Sequence, residues 1–448
     1  MSDLPRITII IRAAETNRVY FRDALASITE QTFSNFELYL LDENPSDELR
    51  QIAEEFFPGD PRMHYLRMRK TCGLAETYNN GMRLAAGEYF LFFGQHDRLA
   101  PTALSVIASH IADDPSCDVI YTDYDELDGT SRVEPHFLSD LNVELLLRTN
   151  YIGDYITISR RCVRRIGLLC EGLSFAAVYE YLLRCVETKT RISHLAMLLY
   201  HIRRPDSAET EELTYRDRQK ISRKKYREYE HVAEASLRKK GIPATVKTAS
   251  SGVRKIEYPV PDRAVLREQA LILHDSDVKV YGRHAVQRLS AILAQKDVAI
   301  VGCRFLGTAF SIDNCGYIFD QNGFTYPACY GQSFFSTGYD GRAVIPRDVS
   351  MVDFGFCLID RKFFRKSGGL DKELSGRDMM LDLCLKAHSH GMRIVYEPGV
   401  VARRAERELK SSAESHERLC TRWENQLKRG DPYYNRNLPM GLENYTLY

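Results

Sequence analysis

Five consecutive apolar residues, Tyr89 to Phe93, run straight into the polar turn Gly94-Gln95-His96-Asp97. No other stretch constrains this chain as strongly. The run is too short for a helix and unbroken by polar residues, so it predicts a short buried strand. Open α/β sheets collect their ligands outside the carboxyl ends of strands. Residues 94–97 are therefore the first place to look for a site.

The bulk numbers exclude several classes. At 448 residues the chain has room for two or three domains, each with its own core. A hydrophobic share of 44% with 27% charged residues is ordinary for a globular protein. The formal net charge of zero offers no global field for nucleic acid, and none is expected as a partner. No apolar run approaches the roughly 18–20 residues of a membrane span. The opening MSDLPRITIIIR lacks the features of a secretory signal. Eleven scattered cysteines, without a CxxC pair, predict reduced thiols in a cytoplasmic protein and no structural zinc.

Along residues 1–205, strand and helix signals alternate, which predicts a mostly parallel sheet with helices on its faces. Ile7–Ile11 is a β-branched strand, and Phe21, Ala24, Leu25 and Ile28 then recur at helical spacing. Phe36–Asn44 reads as a strand entering an acidic turn, His64–Met68 as a third strand and Asp118–Tyr121 as another. The acids of TDYDELDG, Asp123 and Asp125 among them, follow that last strand. Residues 206–262 read as a charged helix and a short strand. Between Tyr215 and Lys240 ten Lys/Arg face four Asp/Glu. That helix is either a solvated connector or a face for anionic lipid at the inner surface of a membrane. A second module is expected over 263–405, opening with ALILHDSD (Ala270–Asp277), and 406–448 reads as a C-terminal tail.

These segments resemble the tandem family 2 glycosyltransferases of bacteria that build rhamnose-rich or O-antigen-type polysaccharides. The similarity rests on ASITEQTFSNFELYLLDEN, NNGMRLAAGEY, YTDYDELDG and RTNYIGDY in the first module. In the second it rests on SGGLD, GMRIVYEP and DPYYNRNL. The resemblance implies an α/β fold: a GT-A (Rossmann-like) domain followed by a truncated second GT-A-like module. It implies inverting transfer of a sugar from a UDP- or dTDP-sugar to a glycan or lipid-linked acceptor, with Mn²⁺ or Mg²⁺ as cofactor. Asp42, Glu43, Asn79 and Asp97 would bind the nucleotide, and His96, Asp97 and His201 the cation.

The chain also departs from the family pattern. The first acid of the metal turn is Gly94 and a second is His96. Asp154 replaces a His in the acceptor-side motif. The catalytic base falls on Val178 in AAVYEYLLRC, leaving Glu180 and Asp154 as substitutes, because deprotonating an acceptor hydroxyl needs a carboxylate. His201 is either a metal ligand or a capped core residue. In the second module Asp275-Ser276-Asp277 forms an acidic turn, the base position falls on Met380 between Asp378 and Asp382, and the late His is Arg404. Asp275 lies only 16 residues beyond Pro259, whereas Gly94 lies 87 beyond Ile7. The two leading βα units have no room there. Two functions follow: a transferase acting on a surface-glycan precursor, or an inactive relative serving as scaffold for partner transferases. An unrelated nucleotide-binding protein is disfavoured, since no Gly-x-Gly-x-x-Gly or phosphate loop occurs.

Overall fold

The computed structural model describes residues 4–68, 71–204, 215–282, 284–404 and 410–441, with backbone alone over 215–219. The chain forms two compact units, residues 1–138 with 150–240 and residues 139–149 with 241–448.

The first unit begins with β1 (Ile7–Ala13), α1 (Arg18–Thr29), β2 (Phe36–Asp42), α2 (Glu48–Phe56), β3 (Met63–Arg67), α3 (Leu74–Leu84) and β4 (Tyr89–Phe93). It continues with β5 (Arg98–Leu99), α4 (Ala103–Asp113), β6 (Val119–Asp128) and β7 (Ser131–His136); α5 (Val143–Arg148) belongs to the second unit. Then come β8 (Thr157–Ser159), α6 (Arg160–Ile166), α7 (Ala177–Glu187), β9 (Ile192–Arg203) and α8 (Tyr215–Lys239). One nine-stranded sheet runs β3-β2-β1-β4-β8-β6-β9-β5, with β7 on β6. Strands β1 to β4 are mutually parallel and β8 is antiparallel to β4 and β6. Strand β1 is buried almost throughout because helices cover both faces, as parallel sheets require. Ile7, Ile9 and Ile11 join a core with Phe21, Leu25 and Ile28 of α1, while Ile10 faces Gly81 of α3. The sequence doubles back between β1 and β4, which creates a topological switch point there.

In the second unit α5 is joined by β10 (Thr245–Thr248), β11 (Arg254–Glu257), α9 (Arg263–Gln269), β12 (Ala270–His274), β13 (Val278–Tyr281), α10 (Ala285–Leu293) and β14 (Val298–Leu306). The remainder is β15 (Ile312–Asn314), β16 (Tyr317–Phe319), β17 (Thr325–Pro327), β18 (Arg347–Asp348), β19 (Phe356–Asp360), α11 (Arg361–Lys366), α12 (Gly376–Ser389), β20 (Arg393–Arg404) and α13 (Ala413–Arg429). Its main sheet runs β12-β19-β14-β20-β13. That order, and the sense of each pairing, repeats β4-β8-β6-β9-β5 of the first unit. The sheet has no counterpart of β1 to β3 among the described residues.

The structure departs from the sequence reading in four places. The acidic stretch after Tyr121 continues β6 as a strand, with Asp123 and Asp125 buried at alternate positions. Residues 139–149, expected in the first domain, belong to the second unit. There Glu144 accepts from Arg148 and Tyr258 and lies 3.7 Å from Arg393. The basic helix α8 is part of the first unit, and the expected tail contains α13, which buries Leu419, Trp423 and Leu427. The expected boundaries at 205/206 and 405/406 fall outside the described residues.

Candidate active site at the β1/β4 switch point

Two loops meet at the carboxyl ends of β1 and β4, and Gln95 joins them. Its Nε2 donates to the Ala14 carbonyl at 2.8 Å, and its Oε1 accepts from Ala14 N at 2.9 Å and Thr16 Oγ1 at 2.6 Å. The side chain thus behaves like a short piece of paired strand. Next to it His96 Nε2 accepts the Asn17 backbone N–H at 2.9 Å, which leaves the ring proton on Nδ1. Asn17 caps α1, with its own side chain accepting from Val19 N and Tyr20 N.

Asp97 turns inward. Its Oδ1 accepts the Arg203 backbone N–H at 2.8 Å, and Oδ2 accepts from Tyr200 Oη at 3.0 Å. Tyr155 also donates to it, and Tyr155 stacks on Tyr200 with centroids 4.5 Å apart. Burial pushes the Asp97 carboxyl up to about 6, against the lowering effect of these bonds. Asp154 belongs to the same tyrosine-lined pit: both carboxylates act on Tyr78 and Tyr155, and burial pushes Asp154 to about 6 as well. Among the described residues its hydrogen bond is with Asn150, whose Nδ2 donates to Oδ1 at 3.1 Å. The other oxygen keeps its capacity to accept a proton.

The residues expected to hold a cation do not fit one in this arrangement. Both Asp97 oxygens are engaged and His96 spends Nε2 on a backbone amide. His201, expected as the third ligand, is the buried partner of Asp125 instead, its Nδ1–H donating at 2.5 Å. Arg132 donates to the other oxygen of Asp125 at 2.6 Å. Asp123 is likewise held by His194 and the Leu138 amide. Among the described residues the grouping with metal-ligand spacing is Glu126, Glu134 and His136, on β6 and β7, and Arg204 bridges its two glutamates.

The other expected residues are built into the scaffold around this pit. Asp42, fully buried, accepts from Asn44 N at 2.8 Å and from Tyr65 Oη at 2.7 Å. Glu43 forms a two-point pair with Arg12, at 3.0 and 2.8 Å, and accepts from Thr77 Oγ1 at 2.6 Å. Asn79 uses both ends of its amide on the loop after α6, bonding the Leu169 amide and carbonyl and the Glu171 carboxylate. Glu180 accepts from Arg184 one turn later in α7 at 2.9 Å, and Arg184 also caps the Ile166 and Leu168 carbonyls. Val178 is fully buried. The sequence reading missed Gln95, Tyr155, Tyr200 and Arg203. Their role depends on partners far away in the sequence, for which no spacing gives a signal.

In the second unit Arg404 stands at the acidic turn. Its guanidinium binds Asp353 at 2.6 and 3.2 Å and lies 3.6 Å from Asp275. A Cβ at Gly355 would lie 2.0 Å from Arg404 Nη2, so glycine makes room for the cation. Asp277 is exposed on the turn and Met380 is buried. Asp382 accepts from Trp423 Nε1 at 2.9 Å, and Asp378 accepts from Ser415 Oγ at 2.8 Å, so both serve to dock α13.

Residues 8–170 match the family described as Glycosyl transferase family 2. The match runs from β1 to the loop after α6. The α/β fold implied by the resemblance, with a GT-A domain first and a smaller module after it, is the one observed. O-antigen biosynthesis protein RfbC of Myxococcus xanthus is 28% identical over 210 residues, 46% of this chain and 16% of that protein. The PGL/p-HBAD biosynthesis glycosyltransferase of Mycobacterium bovis is 28% identical over 201 residues, 44% of this chain and 77% of that protein. A crystal structure of S. aureus TarS 1-349 in complex with UDP aligns with TM-score 0.41 and 18% identity, over 52% of this chain and 65% of that one. Among the described residues no helix is long and apolar enough to cross a membrane.

Proposed function

We propose that the first unit binds a UDP- or dTDP-sugar at the β1/β4 switch point. It transfers the sugar, with inversion, to a glycan or lipid-linked precursor of a surface polysaccharide. The family 2 match and the names of two relatives, an O-antigen biosynthesis protein and a PGL/p-HBAD biosynthesis glycosyltransferase, support the substrate class. The observation that carries the reading is Asp154: a half-buried carboxyl held at about 6, with one oxygen unused, beside the turn that follows β4. A base works best with a pKa near the operating pH. The acceptor oxygen attacks the anomeric carbon and the diphosphate leaves with the bonding electrons. The hydroxyl proton passes to Asp154. Glu180 serves this role less well, since Arg184 already claims it. Members of this fold group usually work with a divalent cation, which would neutralise the departing diphosphate. The donors at 94–97 are taken up within the protein itself.

A second reading, an inactive relative that partners active transferases, is favoured by the Gln95 clasp across the crevice. Calorimetry with UDP and dTDP, with and without Mn²⁺, followed by donor turnover with a pathway acceptor extract, separates the two. Nucleotide binding with turnover supports the transferase. Binding without turnover, or no binding at all, supports the partner and removes the transferase. The second unit, without counterparts of β1 to β3, is proposed not to bind nucleotide alone.

A further inference from the structure

We infer that the second unit carries a saccharide-binding cleft beside α13, separate from the acidic turn at Asp275. The cleft encloses about 760 Å³. At its mouth stands Phe324, a large apolar side chain 54% exposed. An exposed phenylalanine is unremarkable on a loose loop, but this one is held. It sits on the turn between β16 and β17, where the Asp320 carboxylate accepts the Asn322 and Phe324 amides at 2.9 Å each and Tyr326 Oη at 3.1 Å. The ring stacks on His416 with centroids 4.4 Å apart and an interplanar angle of 24°. His416 is steadied from behind by Asp378, 3.3 Å from its Nδ1. The aromatic surface is therefore fixed before any ligand arrives, which lowers the entropy cost of binding.

Arg377, Lys410, Ser412 and Glu417 add polar groups of mixed sign to the wall, beside Gly323 and Ala413. Arg377 is placed by the Thr325 carbonyl at 3.5 Å and by the Tyr317 ring, 5.2 Å from its guanidinium carbon. The 411–412 segment is stitched to α12: Ser411 Oγ donates to the Ser375 carbonyl at 3.1 Å, and Ser412 N to Ser375 Oγ at 3.0 Å. One flat apolar platform beside rigid donors and acceptors of both signs matches a sugar ring. Such a ring presents a C–H face to the aromatic and hydroxyls that both donate and accept. A lipid chain would need an apolar lining, and a nucleic acid would need one sign of charge. The choice of a bacterial polysaccharide as ligand rests on the proposed function; the existence of the cleft does not.

The test is native gel electrophoresis of the full chain in gels cast with dextran, yeast mannan or a purified bacterial O-polysaccharide, against a gel without polymer. Retardation of the wild type by at least one polymer is expected. Phe324→Ala should weaken it roughly three- to ten-fold, Phe324→Trp should retain it, and Arg377→Gln should weaken it. Calorimetric UDP binding should be the same in all four proteins. Wild type unretarded by all three polymers, or Phe324→Ala retarded as strongly as wild type, overturns the inference. Retardation that depends on Phe324 in a protein that binds no UDP would leave the cleft standing and sink the transferase reading.

Discussion

A Cβ placed on Gly94 would lie 2.0 Å from Oδ2 of Asp97 and 3.0 Å from the Tyr155 hydroxyl. The two ends of the turn after β4 exclude each other: a side chain at 94 and an inward carboxylate at 97 cannot coexist. The missing acid at 94 is thus the condition for the buried network of Asp97, Tyr155 and Tyr200.

Restoring that acid should therefore cost stability. Gly94→Ala is expected to destabilise the first unit by roughly 1–3 kcal/mol through overpacking, and Gly94→Asp by more, since it adds a like charge. Thermal melts of the variants check this. A Gly94→Asp protein as stable as wild type would show that Asp97 swings out easily.

Asp97 also sets a pH dependence of defined sign. Its folded carboxyl titrates near 6, above the 3.8 of the unfolded chain. Between these values the folded state holds a proton that the unfolded state has lost. The contribution to stability falls as pH rises through that window and is constant above it. Asp97→Asn removes the effect. Its stability relative to wild type should improve by up to roughly 3 kcal/mol between pH 4 and 7, measured by urea unfolding at each pH.

The two base candidates separate by kinetics. Asp154→Asn should lower donor turnover roughly 10²–10⁴-fold with an unchanged melting temperature at pH 7 or a raised one. Glu180→Gln should leave turnover within a few-fold and cost stability, because it weakens the Arg184 pair that holds residues 166–168. The reverse pattern would transfer the base role to Glu180.

In the second unit Arg404→Ala leaves Asp353 buried without its cation, although Tyr317 Oη and the Gly355 amide still donate to it. A loss of about 3–5 kcal/mol is expected, seen as an earlier unfolding transition. Arg404→Ala that melts like wild type would mean the hydrogen bonds suffice.

Most elements were legible in the residues because their signals are local. The bounds of β4 follow from five uninterrupted apolar residues, and α1 from the helical spacing of Phe21, Ala24, Leu25 and Ile28. Leu419, Trp423 and Leu427 carry an equally plain helical period for α13, yet the Pro/Asn-rich close of the chain suggested only a tail. The acids after Tyr121 read as a turn in the sequence, because acids normally mark one. Histidines on β9 and the Leu138 amide allow Asp123 and Asp125 to be buried within the strand.

By itself the sequence determined the leading strands and helix of the first unit, its α/β class and the lack of two leading βα units in the second. Each depends on periodicity or counting over a few dozen residues. It did not decide what the acids do. Asp97 meets Tyr200 and Arg203 across 103 and 106 positions, and Asn142 meets Asp348 across 206. A carboxylate takes whichever donor packing brings within 3 Å, and burial then sets its proton affinity. Tertiary structure alone made Asp97 a buried anchor, left Asp154 with an open oxygen and gave Arg404 the place beside Asp275.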